Sequence, residues 1–485
     1  MRISLVVPYQ NIEMYIVPNL GLGYIASALR SKGHEVTYLD CFKQGVNESG
    51  WAKFLRAGQY DLIGIQMFTH TYHSARAMMK TAKKLFPNII SVIGGPHANA
   101  LPEQLLSQCP EIDYVIHGEG EEAFPKLVET LEQGNLSRRI SIPNLGWRDN
   151  NRVQVNDRSY IEDLDALSLP AWDLMDPRTY PALSHGLFNR AYPIAPIFAT
   201  RGCPYFCTFC AASLNMGHRI RKRTPSKVVD EIDLLVKEYG VKEIHFEDDN
   251  FTFDKDFACE VCRIIIDRKT KISWACPNGL RIDSLDAELL KLMERSGCYS
   301  IAVGIESGSE KILKMVRKGI TIEHVRQKLR LVSETTKIKI TGFFMFGFPE
   351  ENEDDFQKTE NLIMNEPFHK ISLAPCIPFP GTQMYKNLIE NNQIKENKHW
   401  DQFSLYGNSI FASDQLQEQR LRRFMRKVHL KFYLRPKILI GIFSEIHSFG
   451  QVWAALRIFL YRLGLRRTKN ISQGSSGQHK KELLK

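Results

Sequence analysis

Arg201-Gly-Cys-Pro-Tyr-Phe-Cys-Thr-Phe-Cys210 is the stretch on which the reading of this 485-residue chain turns. It sets Cys203, Cys207 and Cys210 in a Cys-x3-Cys-x2-Cys spacing, with Phe209 just before the last thiol. Three thiolates on one short loop can ligate a single metal centre, and they leave it one ligand short. A structural zinc site is closed by four protein ligands, and an ordinary [4Fe–4S] cluster also takes four. With three, one iron stays open to a small molecule. Zinc is the alternative, since thiolates suit both centres. It needs a fourth ligand from elsewhere, and His218, Cys259 and Cys262 are the candidates.

Working outward, the length suggests roughly three domains. Ten cysteines in so long a chain do not make a disulfide scaffold. The opening Met1-Arg-Ile-Ser-Leu-Val-Val-Pro is too short an apolar run for a secretory signal. A reducing cytoplasm, where free thiols and metal sites are the usual roles of Cys, is therefore expected. The net charge of +10 is concentrated at the C-terminus: thirteen Lys/Arg oppose three acids between Asp414 and Asn470. Residues 1–413 sum to about −2, so the body of the chain is nearly neutral.

Residues 1–135 alternate short apolar runs with helical patterns, which predicts βαβ units around a parallel sheet. The expected strands are 3–7, 35–40, 61–66, 89–93 and 113–116, with a helix over 21–31. Such a sheet binds ligands at the carboxyl ends of its strands. Those ends carry Pro8-Tyr9-Gln10, Gln66-Met67-Phe68, Gly94-Gly95-Pro96-His97 and His117-Gly118-Glu119-Gly120. Residues 136–190 are polar and irregular and read as a connector. A second βα series over 191–400, with strands at 197–200, 243–247, 273–277, 300–304, 339–346 and 371–375, suggests a partial (β/α)6 barrel. The thiol loop follows the first of these strands.

The cysteine spacing, Phe209, Pro204 and the preceding Thr200-Arg201-Gly202 resemble the cluster loop of the radical S-adenosylmethionine (radical SAM) superfamily. The resemblance implies a [4Fe–4S] cluster on Cys203, Cys207 and Cys210, its open iron chelated by S-adenosylmethionine. It also implies roles for the other strand ends. In Phe246-Glu-Asp-Asp-Asn-Phe251, Glu247 and Asp248 correspond to the position that holds the amino group of S-adenosylmethionine. Glu306 and Ser307 in Gly304-Ile-Glu-Ser-Gly308 resemble residues near its ribose and carboxylate, and the Gly347 turn is where backbone approaches adenine. Pro378-Phe-Pro-Gly-Thr382 ends the sixth strand as in one subgroup. Arg281 is open to two readings, an anion contact or a surface pair.

That subgroup carries a cobalamin-binding domain, and the first domain resembles it. The helix opening Pro18-Asn-Leu-Gly-Leu-Gly-Tyr-Ile-Ala-Ser, the Gly-Gly-Pro-His-Ala stretch and the Gly-Glu-Gly-Glu stretch carry the likeness. It implies cobalamin contacts from Gln66, Gly94, Gly95, Gly118, Glu119 and Gly120. Domains of the methionine-synthase type place an axial His after the first strand, but Pro8–Leu20 contains none. Asp40-Cys-Phe-Lys-Gln-Gly45 imitates that motif with Phe42 at the His position and follows the second strand. Base-off cobalamin with no protein His ligand is implied; His97 and His117 are alternatives for the axial role but read as backbone or corrin contacts. Leu164-Asp-Ala-Leu-Ser-Leu-Pro-Ala-Trp-Asp173 resembles the subgroup's connector.

The resemblance spans most of residues 1–435. It implies that one electron from a flavodoxin- or ferredoxin-type donor cleaves S-adenosylmethionine to a 5′-deoxyadenosyl radical. That radical takes hydrogen from an unactivated carbon, which then receives a methyl group. Residues 401–470 read as a basic, aromatic-laced helical region without a spanning stretch. It suits either an anionic membrane surface or a cap on the barrel, and 471–485 read as a disordered tail. A hydrophobic substrate (lipid, isoprenoid or tetrapyrrole) is expected. Oxidative closure of the magnesium-protoporphyrin monomethyl ester cyclase type and a non-catalytic iron–sulfur/cobalamin sensor are the alternatives. A tRNA methylthiotransferase would need a second three-Cys cluster where only Cys41 and Cys109 lie. Nucleic-acid binding is not expected, because the basic residues alternate with Ile, Leu and Phe.

Overall fold

The computed structural model describes residues 1–9, 16–150, 152–181, 189–394, 400, 403 and 415–444. The expected disordered tail therefore lies outside the described residues.

The first domain is built on a seven-stranded sheet. Its strands are β1 (Arg2–Val7), β2 (Glu35–Asp40), β3 (Leu62–Gln66), β4 (Ile90–Gly94), β5 (Tyr114–Ile116), β6 (Leu145–Asp149) and β7 (Arg152–Val155), in the order β2-β1-β3-β4-β5-β6-β7. The first five run parallel, and their near-continuous Val, Ile and Leu reflect burial on both faces. β1 pairs with β2 on one side and β3 on the other, so Val6 faces both Leu39 and Ile65. The order reverses there, and a crevice opens outside such a switch point. Between β1 and β2 the helix Leu20–Arg30 starts on Asn19, whose side chain accepts from the Leu22 N–H at 3.1 Å. The connector reading is corrected over 145–155, where β6 and β7 extend this sheet antiparallel. Their short alternation is interrupted in the sequence by Asn150-Asn151, and Asn150 stands in a turn after β6.

The second sheet has six parallel strands: β8 (Ile194–Ile197), β11 (Glu243–Phe246), β12 (Ser273–Leu280), β13 (Cys298–Glu306), β14 (Lys339–Phe346) and β15 (Lys370–Pro375). They lie in chain order, and β8 and β15 form opposite edges. This is the open (β/α)6 arrangement, with helices such as Pro225–Tyr239 and Lys255–Asp267 packed outside. The first strand is corrected from 197–200 to Ile194–Ile197. Thr200-Arg201 instead forms β9, paired antiparallel with β10 (Arg221–Lys222). The cause is Asp248, whose carboxylate accepts from the Ala199 N–H at 3.2 Å and also from the Thr200 N–H and hydroxyl, drawing these residues out of the sheet.

The two sheets share apolar packing. One cluster joins Trp51, Leu55 and Ile65 of the first domain to Phe348, Cys376 and Tyr385 of the second. The helix Gln415–Tyr433 lies on the outside of the barrel, burying Leu421, Val428 and Phe432. The Tyr433 hydroxyl accepts from the Ile371 N–H at 3.2 Å and donates to the Ile371 carbonyl at 3.1 Å. All ten cysteines are free thiols.

Candidate active site

The thiol loop is held from three sides. Cys203 N–H donates to the Gly217 carbonyl at 3.1 Å, Thr208 N–H to Val316 at 3.1 Å, and Met384 N–H to Thr208 at 2.8 Å. The Pro378–Thr382 stretch thus works structurally, with Thr382 capping the helix Gln383–Glu390 that supplies Met384. Gly202 is required: its φ is +100°, and a Cβ there would lie 2.2 Å from the Arg219 carbonyl oxygen. Burial raises the pKa of all three thiols, that of Cys210 to about 12. Lys318 and Arg281 work against this at Cys207, while the Asp249 charge adds to it at Cys203 and Cys210. Among the described residues no three His, Cys, Asp or Glu side chains already form the cage of a single ion. Cys259 and Cys262 are packed in the core on the helix Lys255–Asp267, so they are not fourth zinc ligands. The donor set fits a cluster held by three thiolates.

Glu247 and Asp248, adjacent in sequence, part company in space. Asp248 is buried against the Ala199–Thr200 backbone, as described, and burial raises its pKa to about 7. Its assignment to the amino group of S-adenosylmethionine is withdrawn, because the carboxylate is occupied. Glu247 stays accessible, with Asn278 Nδ2 donating to its Oε2 at 2.7 Å and to its carbonyl at 2.9 Å. Ser307 is buried and accepts from the Ser309 N–H at 3.1 Å, with Thr359 Oγ1 at 3.2 Å, so it shapes a turn instead of facing a ligand. Gly347, at φ +83°, donates its N–H to Glu351 Oε2 at 2.6 Å.

Glu306 sits at φ +74°, a conformation uncommon for a side chain of its size. Its Oε1 accepts from Lys318 Nζ at 2.7 Å, and both groups are buried. A Cβ on Gly304 would come within 2.8 Å of that carboxylate oxygen and 3.0 Å of the ammonium, so glycine makes room for the pair. Arg281 takes neither expected role alone. It pairs with Asp283 at 3.0 Å, donates to the Lys318 carbonyl at 2.7 Å and lies 3.7 Å over the ring of Tyr205 in the thiol loop. Lys318 was not singled out in the sequence; its place in the short Val316-Arg-Lys-Gly319 link between two helices carried no local signal of burial.

Between the two sheets lies a cavity of about 440 Å³. Gln66, Gly94, Gly95, Gly118, Glu119 and Gly120 all line it, at the carboxyl ends of β3, β4 and β5. The opposite wall is Pro196, Phe198, Arg201, Glu247 and Asn278 from the barrel. Gly95 has φ +99°, and a Cβ on it would meet Gln66 Cγ at 3.0 Å and the Met67 backbone at 3.1 Å. Gln66 exchanges amide contacts with Asn19, whose Nδ2 lies 2.5 Å from Gln66 Oε1. A mostly apolar lining that includes the amides of Gln66, Asn99, Asn215 and Asn278 suits a flat macrocycle bearing neutral carboxamides, which is the chemistry of a corrin.

Glu119 lines the cavity but is bound within the protein. Arg201 Nη1 donates to its Oε1 at 3.1 Å, Arg221 Nη1 to its Oε2 at 2.7 Å and the Ile161 N–H to Oε2 at 2.7 Å. Arg201 Nη2 also pairs with Glu121 at 2.7 Å. All four charged groups are buried. His97 and His117 do not line the cavity. His97 is enclosed by Tyr72 and Trp400 with Thr69 Oγ1 at 3.2 Å, and His117 Nε2 lies 3.0 Å from the Asn156 carbonyl. His70, two residues beyond the quoted Gln66-Met67-Phe68 loop end, does line it. Burial lowers its pKa to about 4, leaving the ring neutral near pH 7.

The thiol loop follows the first barrel strand, and Arg201, two residues ahead of Cys203, lines the crevice at the sheet switch point, so the two candidate sites adjoin. Family models of the radical SAM superfamily and of the B12 binding domain match residues 197–363 and 14–128. The chain belongs to the radical SAM superfamily, in the group with a B12-binding domain, and is an enzyme whose cofactors are a [4Fe–4S] cluster, S-adenosylmethionine and cobalamin. It is 31% identical over 435 residues to an uncharacterized methyltransferase of Pyrococcus horikoshii, covering 89% of this chain and 91% of that protein. It is 27% identical to the anaerobic magnesium-protoporphyrin IX monomethyl ester cyclase of Synechocystis sp., over 94% of this chain and 91% of that one. Its fold matches the cobalamin-dependent S-adenosylmethionine radical enzyme OxsB with a TM-score of 0.74 at 17% identity, covering 96% of this chain and 71% of that one.

Proposed function

We propose that this enzyme methylates an unactivated carbon of a hydrophobic small molecule. The observation that supports it best is the shared cavity: the glycine loops of the first domain and the Glu247–Asn278 pair of the barrel face one space. Cys203, Cys207 and Cys210 would hold the cluster, which when reduced supplies the electron that splits S-adenosylmethionine. Glu247 would orient the amino group of that cofactor, and Lys318, paired with Glu306 beside Cys207, offsets negative charge at the loop. Gly94, Gly95, Gly118 and Gly120 would let the backbone approach the corrin. The barrel's inner surface supports an apolar substrate. Along β14 the buried Ile340, Gly342, Phe344 and Phe346 alternate with half-buried Thr341, Phe343 and Met345. Enclosing the reacting carbon among such side chains keeps water from a radical.

The methyltransferase relative favours methyl transfer, and the cyclase relative keeps oxidative ring closure as the second reading. Incubation of the reconstituted enzyme with a flavodoxin-type donor, methyl-labelled S-adenosylmethionine and candidate lipids or tetrapyrroles decides between them. Label in the product is expected. An unlabelled, cyclised or oxygenated product would favour the cyclase reading. Failure to release 5′-deoxyadenosine and methionine would favour a sensor.

The proposal includes peripheral contact with an anionic membrane. Exposed Arg420, Arg423, Arg426, Lys427 and Lys437 share the C-terminal helices with exposed Ile440, and Leu434 in the turn between the helices is exposed too. No helix among the described residues is long and apolar enough to cross a membrane. Co-sedimentation with phosphatidylserine vesicles, lost in high salt, is the expected result.

A further inference from the structure

The thiol loop comes to the surface at Phe206, which stands between Cys203 and Cys207 and is 65% exposed. Its ring stacks on that of exposed His218, with centroids 4.3 Å apart. On its other side Tyr205 meets Phe253, itself 43% exposed, edge-on at 6.1 Å. These four rings make one continuous aromatic patch around the middle of the loop, and none of them lines the cofactor cavity. Solitary exposed apolar residues are ordinary, whereas contiguous aromatics already held in place mark contact surfaces.

The charges beside the patch are uneven. The link 316–319 touches the loop at two points. The Val316 carbonyl accepts from the Thr208 N–H at 3.1 Å, and the Lys318 carbonyl accepts at 2.7 Å from Arg281, which lies over Tyr205. Arg317 falls between these anchors and so lies against the Tyr205–Thr208 span. It is exposed, at a φ of +54° where glycine is the easier residue. On the other side of Thr208, the helix Gln383–Glu390 is tied to the loop through Met384 and carries exposed Lys386. Neither Arg317 nor Lys386 has an ion-pair partner among the described residues. The acids nearby are engaged: Asp283 by Arg281 at 3.0 Å, Glu306 by Lys318 at 2.7 Å and Glu162 by Arg219 at 2.8 Å. Asp249, whose charge reaches Cys203 and Cys210, offsets part of this excess. Residues 1–413 sum to about −2, so the local cations do not reflect a basic body.

We propose that Tyr205, Phe206, His218 and Phe253, flanked by Arg317 and Lys386, form the docking face for an acidic one-electron carrier protein. The inference rests on the cluster assigned to Cys203, Cys207 and Cys210, and it names the surface through which that cluster is reduced. An apolar centre with a polar, charged rim is the ordinary anatomy of a protein contact. Unpaired cations speed and orient the encounter with an acidic partner. Cys207 follows Phe206 directly, so a carrier seated on the rings reaches the cluster without any opening of the cofactor cavity. One electron leaves the carrier's flavin hydroquinone, which becomes the semiquinone, and takes the cluster from the 2+ to the 1+ state.

The test is stopped-flow reduction of the anaerobically reconstituted full chain, read as loss of the cluster's visible absorbance. Flavodoxin hydroquinone is the probe, and the methyl viologen radical is the small-molecule reference. In the wild type the flavodoxin rate should fall about tenfold or more between about 50 and 500 mM salt. Arg317→Glu combined with Lys386→Glu should slow flavodoxin about tenfold at low salt, and Phe206→Ser should slow it at both salts. Each variant, used only with full cluster absorbance, should be reduced by methyl viologen at the wild-type rate. Lys80→Glu, on the helix Tyr72–Leu85 of the first domain, should change neither rate. A wild-type flavodoxin rate indifferent to salt, or charge-reversed protein reduced as fast as the wild type, would overturn the proposal. Equal slowing with both reductants would overturn it too, because the substitutions would then act on the cluster and not on docking. A wild-type chain that takes up no cluster fails the cluster reading, and the proposal with it, before any reductant is added. The salt arm needs no variant, so misfolding does not remove the test.

Discussion

Glu119, just beyond the last parallel strand of the first sheet, accepts a hydrogen bond at 3.1 Å from Arg201, two residues ahead of Cys203. One buried ion pair therefore joins the rim of the corrin cavity to the base of the thiol loop. Breaking a buried pair by removing one partner typically costs about 3–5 kcal/mol, because the other charge is left unpaired. Glu119→Ala should lose about that much in urea unfolding, and iron content and corrin absorption should fall together. A loss under about 1 kcal/mol, or a defect in only one cofactor, would show that the pair does not couple the two sites.

Cys203, Cys207 and Cys210 should be separable from the other seven thiols. Alanine at any of the three should abolish the visible absorbance of the anaerobically reconstituted cluster. Cys262→Ala, in the core of the helix Lys255–Asp267, should keep the absorbance and cost about 1–2 kcal/mol of stability. Full iron loading of Cys210→Ala would contradict the assignment.

Loading should also depend on pH. Burial holds the three thiols above their ordinary pKa, so the empty loop carries protons that ligation must displace. Reconstitution should release protons, and its apparent affinity should rise between pH 6.5 and 8.5. A flat profile would indicate that the thiolates pre-exist.

Glu351 gives a pH signature of stability. It accepts from the Gly347 N–H at 2.6 Å and from Phe348 at 3.0 Å, yet burial raises its pKa to about 8. The folded state thus holds a proton that the unfolded chain releases near pH 4.5. Stability from this group is present at low pH and is lost as pH rises through that window, by up to ~1.4 kcal/mol per unit. Glu351→Gln keeps an acceptor and should flatten the slope measured by denaturant unfolding. An unchanged slope would assign it to other groups, Asp248 first.

Lys318 and Glu306 should behave as a unit. Lys318→Met alone leaves a buried carboxylate, and Glu306→Gln alone leaves a buried ammonium beside Cys207. Each should cost several kcal/mol, while the double variant should cost less than their sum. Additive losses would mean that the two are not coupled.

Much of the molecule was legible in the chain because local rules agreed with the fold. β2 and β14 fall at the expected residues, since Val-, Ile- and Phe-rich runs between turns have few other solutions. The cavity glycines were legible for a related reason: positive φ at Gly95 and Gly118 restricts the residue type. Other features were hidden because a side chain's partner is a tertiary fact. Glu247 and Asp248 look equivalent in sequence, but the pleat turns one to the cavity and the other to the Thr200 backbone. β6 and β7 are short, and their strand character comes from pairing with β5.

The sequence by itself determined the chemistry, because three thiols at that spacing on one loop limit what they can hold, wherever the loop sits. Only the tertiary structure decided which acids remain available, which histidine reaches the cavity and how the two cofactor sites are joined. Those answers depend on burial and on partners many residues away, such as Arg201 with Glu119, and no local pattern encodes them.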